Sequence, residues 1–236
     1  MIITAHPQVN LVTHSASDSS VLQAMLVSTD PDLASTMLNK DPSGSEGRIR
    51  YLMKNRHGTP FEHNHFRFFV KAPIFVFREF HRHRIGWSYN EQSGRYSQLE
   101  AEFWVPAPDR PLVQTGKPGH YVYEQGSTEQ LNKAVNQMID VYLVAYETYT
   151  KLLDDGVAKE VARTVLPVGL YSSMYATCNA RSLMAFLSLR TTDENATFPS
   201  TPMREIEEVA RQMENYFSAL MPITYQAFCD FGRVAP

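Results

Sequence analysis

The chain has 236 residues, 43% of them apolar and 20% charged, with a formal net charge of −3. That length suffices for one sizeable core, and the slight acidity argues against a protein that holds nucleic acid through bulk basic charge. Two cysteines, Cys178 and Cys229, make no disulfide framework or zinc pattern; with no signal-peptide pattern and no apolar run near the about 18 residues a membrane helix needs, the expected setting is the cytoplasm, away from any membrane.

Residues 2–14, IITAHPQVNLVTH, hold short β-prone pieces that predict a strand or two. Val21 to Thr29, VLQAMLVST, is helix-compatible, and a loop is expected after it through Asp30, Pro31 and residues 40–44, KDPSG. Ser45 is placed to cap a helix running to about Arg56, with Ile49, Leu52 and Met53 on one face, before Gly58 and Pro60 break it. His65 to Lys71 alternates as a strand does, and Pro73 suits the first turn of a helix over Ile74 to His81, although strand remains open for so short and aromatic a run. Glycines and prolines over 106–126 predict a long surface connection.

The second half is helical. Ser127 with Gln130 makes a capping box, and Gly156 stands where a C-terminal cap belongs. Between them Leu131, Val135, Met138, Tyr142, Ala145, Tyr149 and Leu152 recur at helical spacing. Further helices are expected over Ala158 to Leu166, from the cap Asn179 through Leu183, Phe186, Leu187 and Arg190, and from Thr201-Pro202 through Ile206, Val209, Met213, Phe217 and Leu220. Few strands with about six helices, in irregular alternation, predict a mixed α/β (α+β) fold rather than a doubly wound sheet.

There is neither GxGxxG nor GxxxxGK[ST], so a bound nucleotide would have its phosphates held by side chains. His57, His63, His65, His81 and His83 cluster loosely but without HExxH spacing, and hydrogen-bonded structural histidines are favoured over a metal site. Ser88, Ser93 and Ser97 lack a GxSxG elbow. Arginines are more informative. Arg82 and Arg84 flank His83, and Arg95 follows Ser93-Gly94. Arg163, Arg181 and Arg190 lie in apolar segments of the helical half. Charge alone leaves two readings open, a shared anion pocket or a set of structural ion pairs.

The run RHRIGWSYNEQSGRYS at 82–97, preceded by HGTPFEH and KAPIFVFREF and followed by VARTVLPVGLYSSMYATCNARSLMAFLSLR, resembles the signature region of the flavin-dependent thymidylate synthases. The resemblance covers about residues 21–190. It implies one synthase domain over 1–236, a central twisted sheet with helices around it, and a homotetramer with shared active sites. It also implies FAD as cofactor, dUMP as substrate, methylenetetrahydrofolate as carbon donor and NADPH as reductant, giving dTMP and tetrahydrofolate without a cysteine nucleophile. By the same resemblance Ser28, His57, Thr59, Glu62, Arg82, His83, Arg84, Ile85, Glu91, Asn179 and Arg181 belong to the flavin, the last two from a neighbouring chain. Glu79, Arg82, Glu91, Gln92, Ser93, Gly94, Arg95, Arg163 and Arg190 belong to dUMP, with Arg95 and Arg163 on its phosphate and Arg190 and Arg82 as the catalytic pair at the pyrimidine.

Four positions depart from the family pattern. One additional residue lies between Arg84 and Ser93, to be absorbed by a bulge. Glu79 stands where a glutamine is expected, Met25-Leu26 replace Ala-Arg, and Ala185 replaces an asparagine of some members. The alternative from another class is a non-catalytic nucleotide- or RNA-binding protein that uses the arginines for phosphate and Trp87 and Tyr89 for stacking.

Overall fold

The computed structural model describes residues 1–36, 46–118 and 120–236. In chain order its elements are β1 (Ile2–Thr4), β2 (Gln8–His14), α1 (Asp18–Leu26), α2 (Pro31–Thr36), α3 (Glu46–Lys54), β3 (Phe66–Pro73), α4 (Ile74–Phe80), β4 (Trp87–Glu91), β5 (Glu102–Trp104), β6 (Val113–Lys117), β7 (His120–Glu124), α5 (Thr128–Asp154), α6 (Lys159–Ala162), β8 (Tyr171–Cys178), α7 (Ala180–Arg190), α8 (Arg204–Leu220) and α9 (Pro222–Asp230). Thr59–Glu62 and Arg163–Val165 are 3-10 turns. The mixed helix-and-sheet class agrees with expectation, and several details differ. Pro31 opens a short helix instead of continuing a loop. Pro73 closes a strand, leaving α4 to start at Ile74. Within 106–126 the chain forms the hairpin β6–β7, with Gly116 at φ 90 in the left-handed region that a tight strand end demands. The helix expected over 158–166 is one α-helical turn followed by a 3-10 turn. Ser45 and the 40–44 segment lie outside the described residues.

Packing divides the chain into two compact units, residues 7–71, 76–91 and 173–236 in the larger and 1–6, 72–75 and 92–172 in the smaller. The larger unit carries a four-stranded sheet in the order β2-β3-β8-β4. Along β3, Phe66, Phe68 and Val70 are fully buried while Arg67 is exposed, the period-two pattern of a strand with one face in the core. Phe66 meets Phe217 of α8 edge-on at 6.1 Å, and Phe80 stacks on Phe186 of α7 at 4.7 Å. Buried Asp18 accepts from the amides of Ile223 and Thr224 and from the Thr224 hydroxyl, satisfying donors that the start of α9 would otherwise orphan.

The smaller unit is built on α5. Its first turn has the capping box foreseen from Ser127 and Gln130, and Gly156 takes φ 80 beyond its end. One face of α5 carries three tyrosines that hold the 99–104 stretch. Tyr142 donates to Trp104 O at 2.9 Å, Tyr146 donates to Leu99 O at 3.1 Å, and the Leu99 amide donates to the Tyr149 hydroxyl at 3.1 Å. Leu99, Phe103, Val105, Tyr142, Tyr149, Ala162 and Leu170 form the core there, and β1 pairs parallel to β5.

Candidate active site

In the larger unit the arginine-rich stretch begins as a turn between α4 and β4. Tyr89 pins it by donating to His83 O at 2.7 Å and Phe80 O at 3.2 Å. Burial pushes the Tyr89 phenol far above its ordinary range, so it stays a donor. The turn ends at Gly86, φ 69, where a side chain would run into Ser182 Oγ. That hydroxyl donates to Ile85 O at 2.9 Å, docking the turn on α7. Arg82 and Arg84 are exposed, and Ile85 is 91% exposed despite being apolar. β4 then pairs with β8 in unbroken register from Trp87↔Cys178 to Glu91↔Met174. The β4–β8 pairing therefore contains no bulge to absorb the additional residue.

Arg190, the last residue of α7, reaches the same turn. Its Nε donates to His83 Nε2 at 3.0 Å, its Nη1 to Glu79 Oε2 at 2.5 Å and its Nη2 to Glu79 O at 3.3 Å. Fixed on three sides, the guanidinium is preorganised. Its donation makes Nε2 an acceptor, which places the proton of the neutral ring on Nδ1. Desolvation, then the Arg190 charge, lower the pKa of His83 from 6.5 to about 4. The carboxylate at position 79, a misfit for a phosphate contact, thus has a partner in Arg190.

Beside this lies a cleft of about 560 Å³ lined by Glu62, Ile85, Gly86, Asn179, Arg181, Ser182 and Ala185, together with Ala235 and Pro236. Asn179 caps α7 by accepting from the Ser182 amide at 2.8 Å, and buried Asn64 accepts from the Ala180 amide at 2.9 Å. Arg181 pairs with Glu62 at 2.6 Å. A Cβ at Gly58 would sit 2.5 Å from the Arg181 guanidinium, so a side chain there would displace the end of that arginine. A neighbouring groove of about 360 Å³ is lined by Arg82, His83, Arg84, Ile85 and Trp87 with Ser182, Ala185 and Leu189. Ser28 lies in the turn after α1, while His57 and Thr59 flank Gly58; none of the three lines either cavity.

The smaller unit holds Gln92, Ser93, Gly94, Arg95 and Arg163 of the expected set. Ser93 O receives the amides of Tyr96 and Ser97, and Ser93 Oγ receives that of Arg95. Gly94 is buried, and a side chain there would press on Leu99 at 2.9 Å and Arg163 at 3.2 Å. Gln92, Arg95 and Arg163 are exposed around this turn, with Arg95 Nε on Glu160 at 3.1 Å. Two guanidinia and a serine turn make a credible monoanion or dianion cradle. Glu91 ends β4, exposed.

Other chemistries find less support. Among the described residues no three His, Cys, Asp or Glu side chains gather to hold a metal. Burial raises the Cys178 thiol well above its usual range, so it is no nucleophile. Trp87 and Tyr89 stack on each other and pack on Phe80, which commits them to the fold instead of leaving a platform for bases. Sequence reasoning missed Ser182, Gly86, Ala235 and Pro236. Ser182 could have been found three residues after the cap Asn179. The other far partners left no periodic signal.

The family described as "Thymidylate synthase complementing protein" matches residues 10–223. A flavin-dependent thymidylate synthase of Streptomyces avermitilis is 59% identical over 228 residues, covering 97% of this chain and 93% of the relative. One from Tropheryma whipplei is 51% identical, covering 97% and 94%. Among solved structures, the UMP/dUMP methylase PolB from Streptomyces cacaoi bound with 5-Br UMP superposes with a TM-score of 0.92 at 50% identity, covering 100% of this chain and 99% of that one.

Proposed function

The chain belongs to the flavin-dependent thymidylate synthase family, and from that premise we propose how its own residues perform the reductive methylation of dUMP to dTMP. The enzyme uses FAD, with methylenetetrahydrofolate as carbon donor and NADPH as reductant, and releases tetrahydrofolate. The observation that carries the assignment of roles is the fixed Arg190 guanidinium, held by Glu79 and a neutral His83.

The residues of the cleft fit a flavin dinucleotide. Arg181 offers a fork suited to a diphosphate, exposed Ile85 offers an apolar face, and glycines 58 and 86 leave no side chain where Arg181 and Ser182 approach. Its volume of about 560 Å³ lies in the range of ligand sites. When bound, the flavin supplies the hydride that reduces the transferred carbon. Asn179, Arg181 and Glu62 would hold it, with Arg82, His83 and Arg84 contributing from their turn and Ser28, His57, Thr59 and Glu91 from outside the two cavities.

For dUMP, Arg95 and Arg163 grip the phosphate, and Gln92, Ser93 and Gly94 shape the turn around it. The family resemblance assigns Arg190, with Arg82, to the pyrimidine. C5 of uracil must act as a carbon nucleophile, and negative charge then develops on the ring carbonyls. A cation already fixed in place stabilises that charge without reorganising. Glu79 keeps Arg190 oriented, so its role is to position the catalytic arginine.

The same reading takes 1–236 as one functional domain and the assembly as a homotetramer. Val141, Val144 and Val165 are exposed and, with Asp140, Ala145 and Thr148, line an apolar depression along α5, which supports self-association. No described helix is long and apolar enough to cross a membrane. A cytoplasmic setting belongs to the proposal and is supported by two unpaired thiols. Incubation with FAD, NADPH, methylenetetrahydrofolate and dUMP tests it: dTMP should form, and a folded protein that takes up FAD yet forms none would overturn the assignment.

A further inference from the structure

The cleft around Arg181 is lined in part by a segment that no motif marked, residues 233–236. Arg233 anchors it. This arginine is 4% exposed, takes φ 56, and donates through Nη2 to Glu214 Oε1 at 2.6 Å and Thr191 Oγ1 at 2.7 Å. Its guanidinium lies over the Phe228 ring at 5.0 Å, and its carbonyl accepts from Ser188 Oγ at 2.5 Å. A buried ion pair with this many satisfied donors fixes one geometry, because removing either partner strands a charge. From that anchor the chain runs to the cleft. Ala235 O accepts from Arg56 Nη1 at 2.6 Å, and Pro236 O accepts from Arg181 Nε at 2.6 Å.

We propose that residues 233–236 form a strap that positions Arg181 for the cofactor, with the Pro236 carbonyl and the Glu62 carboxylate together fixing the plane of its guanidinium. The proposal rests on reading this cleft as the FAD site. Arg181 has Nε on Pro236 and Nη1 on Glu62, so Nη2 is the nitrogen left to meet a ligand anion. An arginine fork recognises a diphosphate by geometry as well as charge, and a swinging side chain loses part of that recognition to ordering entropy. The strap is therefore a positioning element that acts through Arg181.

The test is titration of FAD into flavin-free protein, followed by flavin fluorescence, for four chains: residues 1–236, a chain ending at Val234, Arg181→Met, and the two changes combined. Losing a hydrogen bond to a charged group predicts about tenfold weaker FAD binding by the shortened chain. Its urea midpoint should stay unchanged, since the Arg233 anchor remains. In the Arg181→Met background shortening should cost nothing more. Equal affinity of the full and shortened chains would overturn the strap, as would an undiminished loss on top of Arg181→Met. Failure of the 1–236 chain to take up FAD would overturn the cofactor reading, and the strap with it. If the shortened chain does not fold, Arg56→Gly, which removes only the donor to Ala235 and suits the φ of 61 at that position, carries the same expectation.

Discussion

Lowering the pH from about 7 to about 5 puts a proton on His83 of the unfolded chain but not of the folded one. The folded imidazole has a pKa of about 4 against an ordinary 6.5, first because of burial and then because of Arg190. Its contribution to stability is whole above 6.5 and is lost as the pH falls toward 4. At full strength that gap is worth about 3 kcal/mol. The ring is only half-buried, and solvent screening reduces the figure to about 1–2 kcal/mol, of which about 1 should appear by about pH 5. The assay is urea unfolding of flavin-free protein at several pH values, for wild type and for His83→Gln, which cannot titrate. Wild type should lose about 1 kcal/mol more than the variant between about pH 7 and about pH 5. A second reading is the imidazole proton resonance, which should show no midpoint near neutral pH. Parallel losses in the two proteins, or a midpoint near 6.5, would show that His83 is not held neutral and that the Arg190–His83 bond does not orient the guanidinium.

Glu79→Ala, which leaves Arg190 without its carboxylate, should lower kcat/KM for dUMP by about tenfold while FAD binding persists. Glu79→Gln should recover most of that loss by keeping an acceptor, and an equal loss in both would mean that charge, not orientation, is what Glu79 contributes. Arg163→Ala should weaken dUMP binding by about tenfold or more, measured calorimetrically, and flatten its salt dependence; unchanged affinity would remove Arg163 from the phosphate site. Gly86→Ala combines a left-handed φ of 69 with overlap on Ser182 and should cost about 2–3 kcal/mol in denaturant unfolding. A neutral result would mean that the turn is not docked on α7 as described.

The long amphipathic helices were legible because their signals are local. The box at Ser127 and the stripe through Tyr142 and Tyr149 report α5 almost to its ends. Strands were harder. WSYNE does alternate, with Trp87 and Tyr89 half-buried and Ser88 and Asn90 exposed, but the arginines before it read as a charged loop. β8, YSSMYATC, hides its alternation behind small polar residues, and its burial depends on β4 and the rest of its sheet. In 106–126 the prolines masked a β-prone HYVYE run. Site residues came from motif resemblance, and what motifs could not supply was partnership. That Glu79 faces Arg190, or that Pro236 meets Arg181 across 55 positions, is tertiary information.

Those partnerships explain how a chain of net charge −3 keeps so much arginine ready for anions. Each arginine assigned to a ligand and seen in an ion pair rests on a carboxylate: Arg95 on Glu160, Arg181 on Glu62, Arg190 on Glu79. The side-chain exposures differ, at 56% for Arg95, 43% for Arg181 and 17% for Arg190. An exposed pair such as Arg95–Glu160 is worth less than about 1 kcal/mol, so a phosphate dianion that offers a bidentate contact displaces the carboxylate at little cost. The pair with the least exposed arginine is the one whose guanidinium, in the proposed role, must not move, because there it stabilises charge that exists only in the transition state. The ion pairs thus separate two uses of one side chain: Arg95, the most exposed, can exchange its carboxylate for a ligand, whereas Arg190 keeps Glu79, and Arg181 keeps Glu62 with Nη2 left for the cofactor.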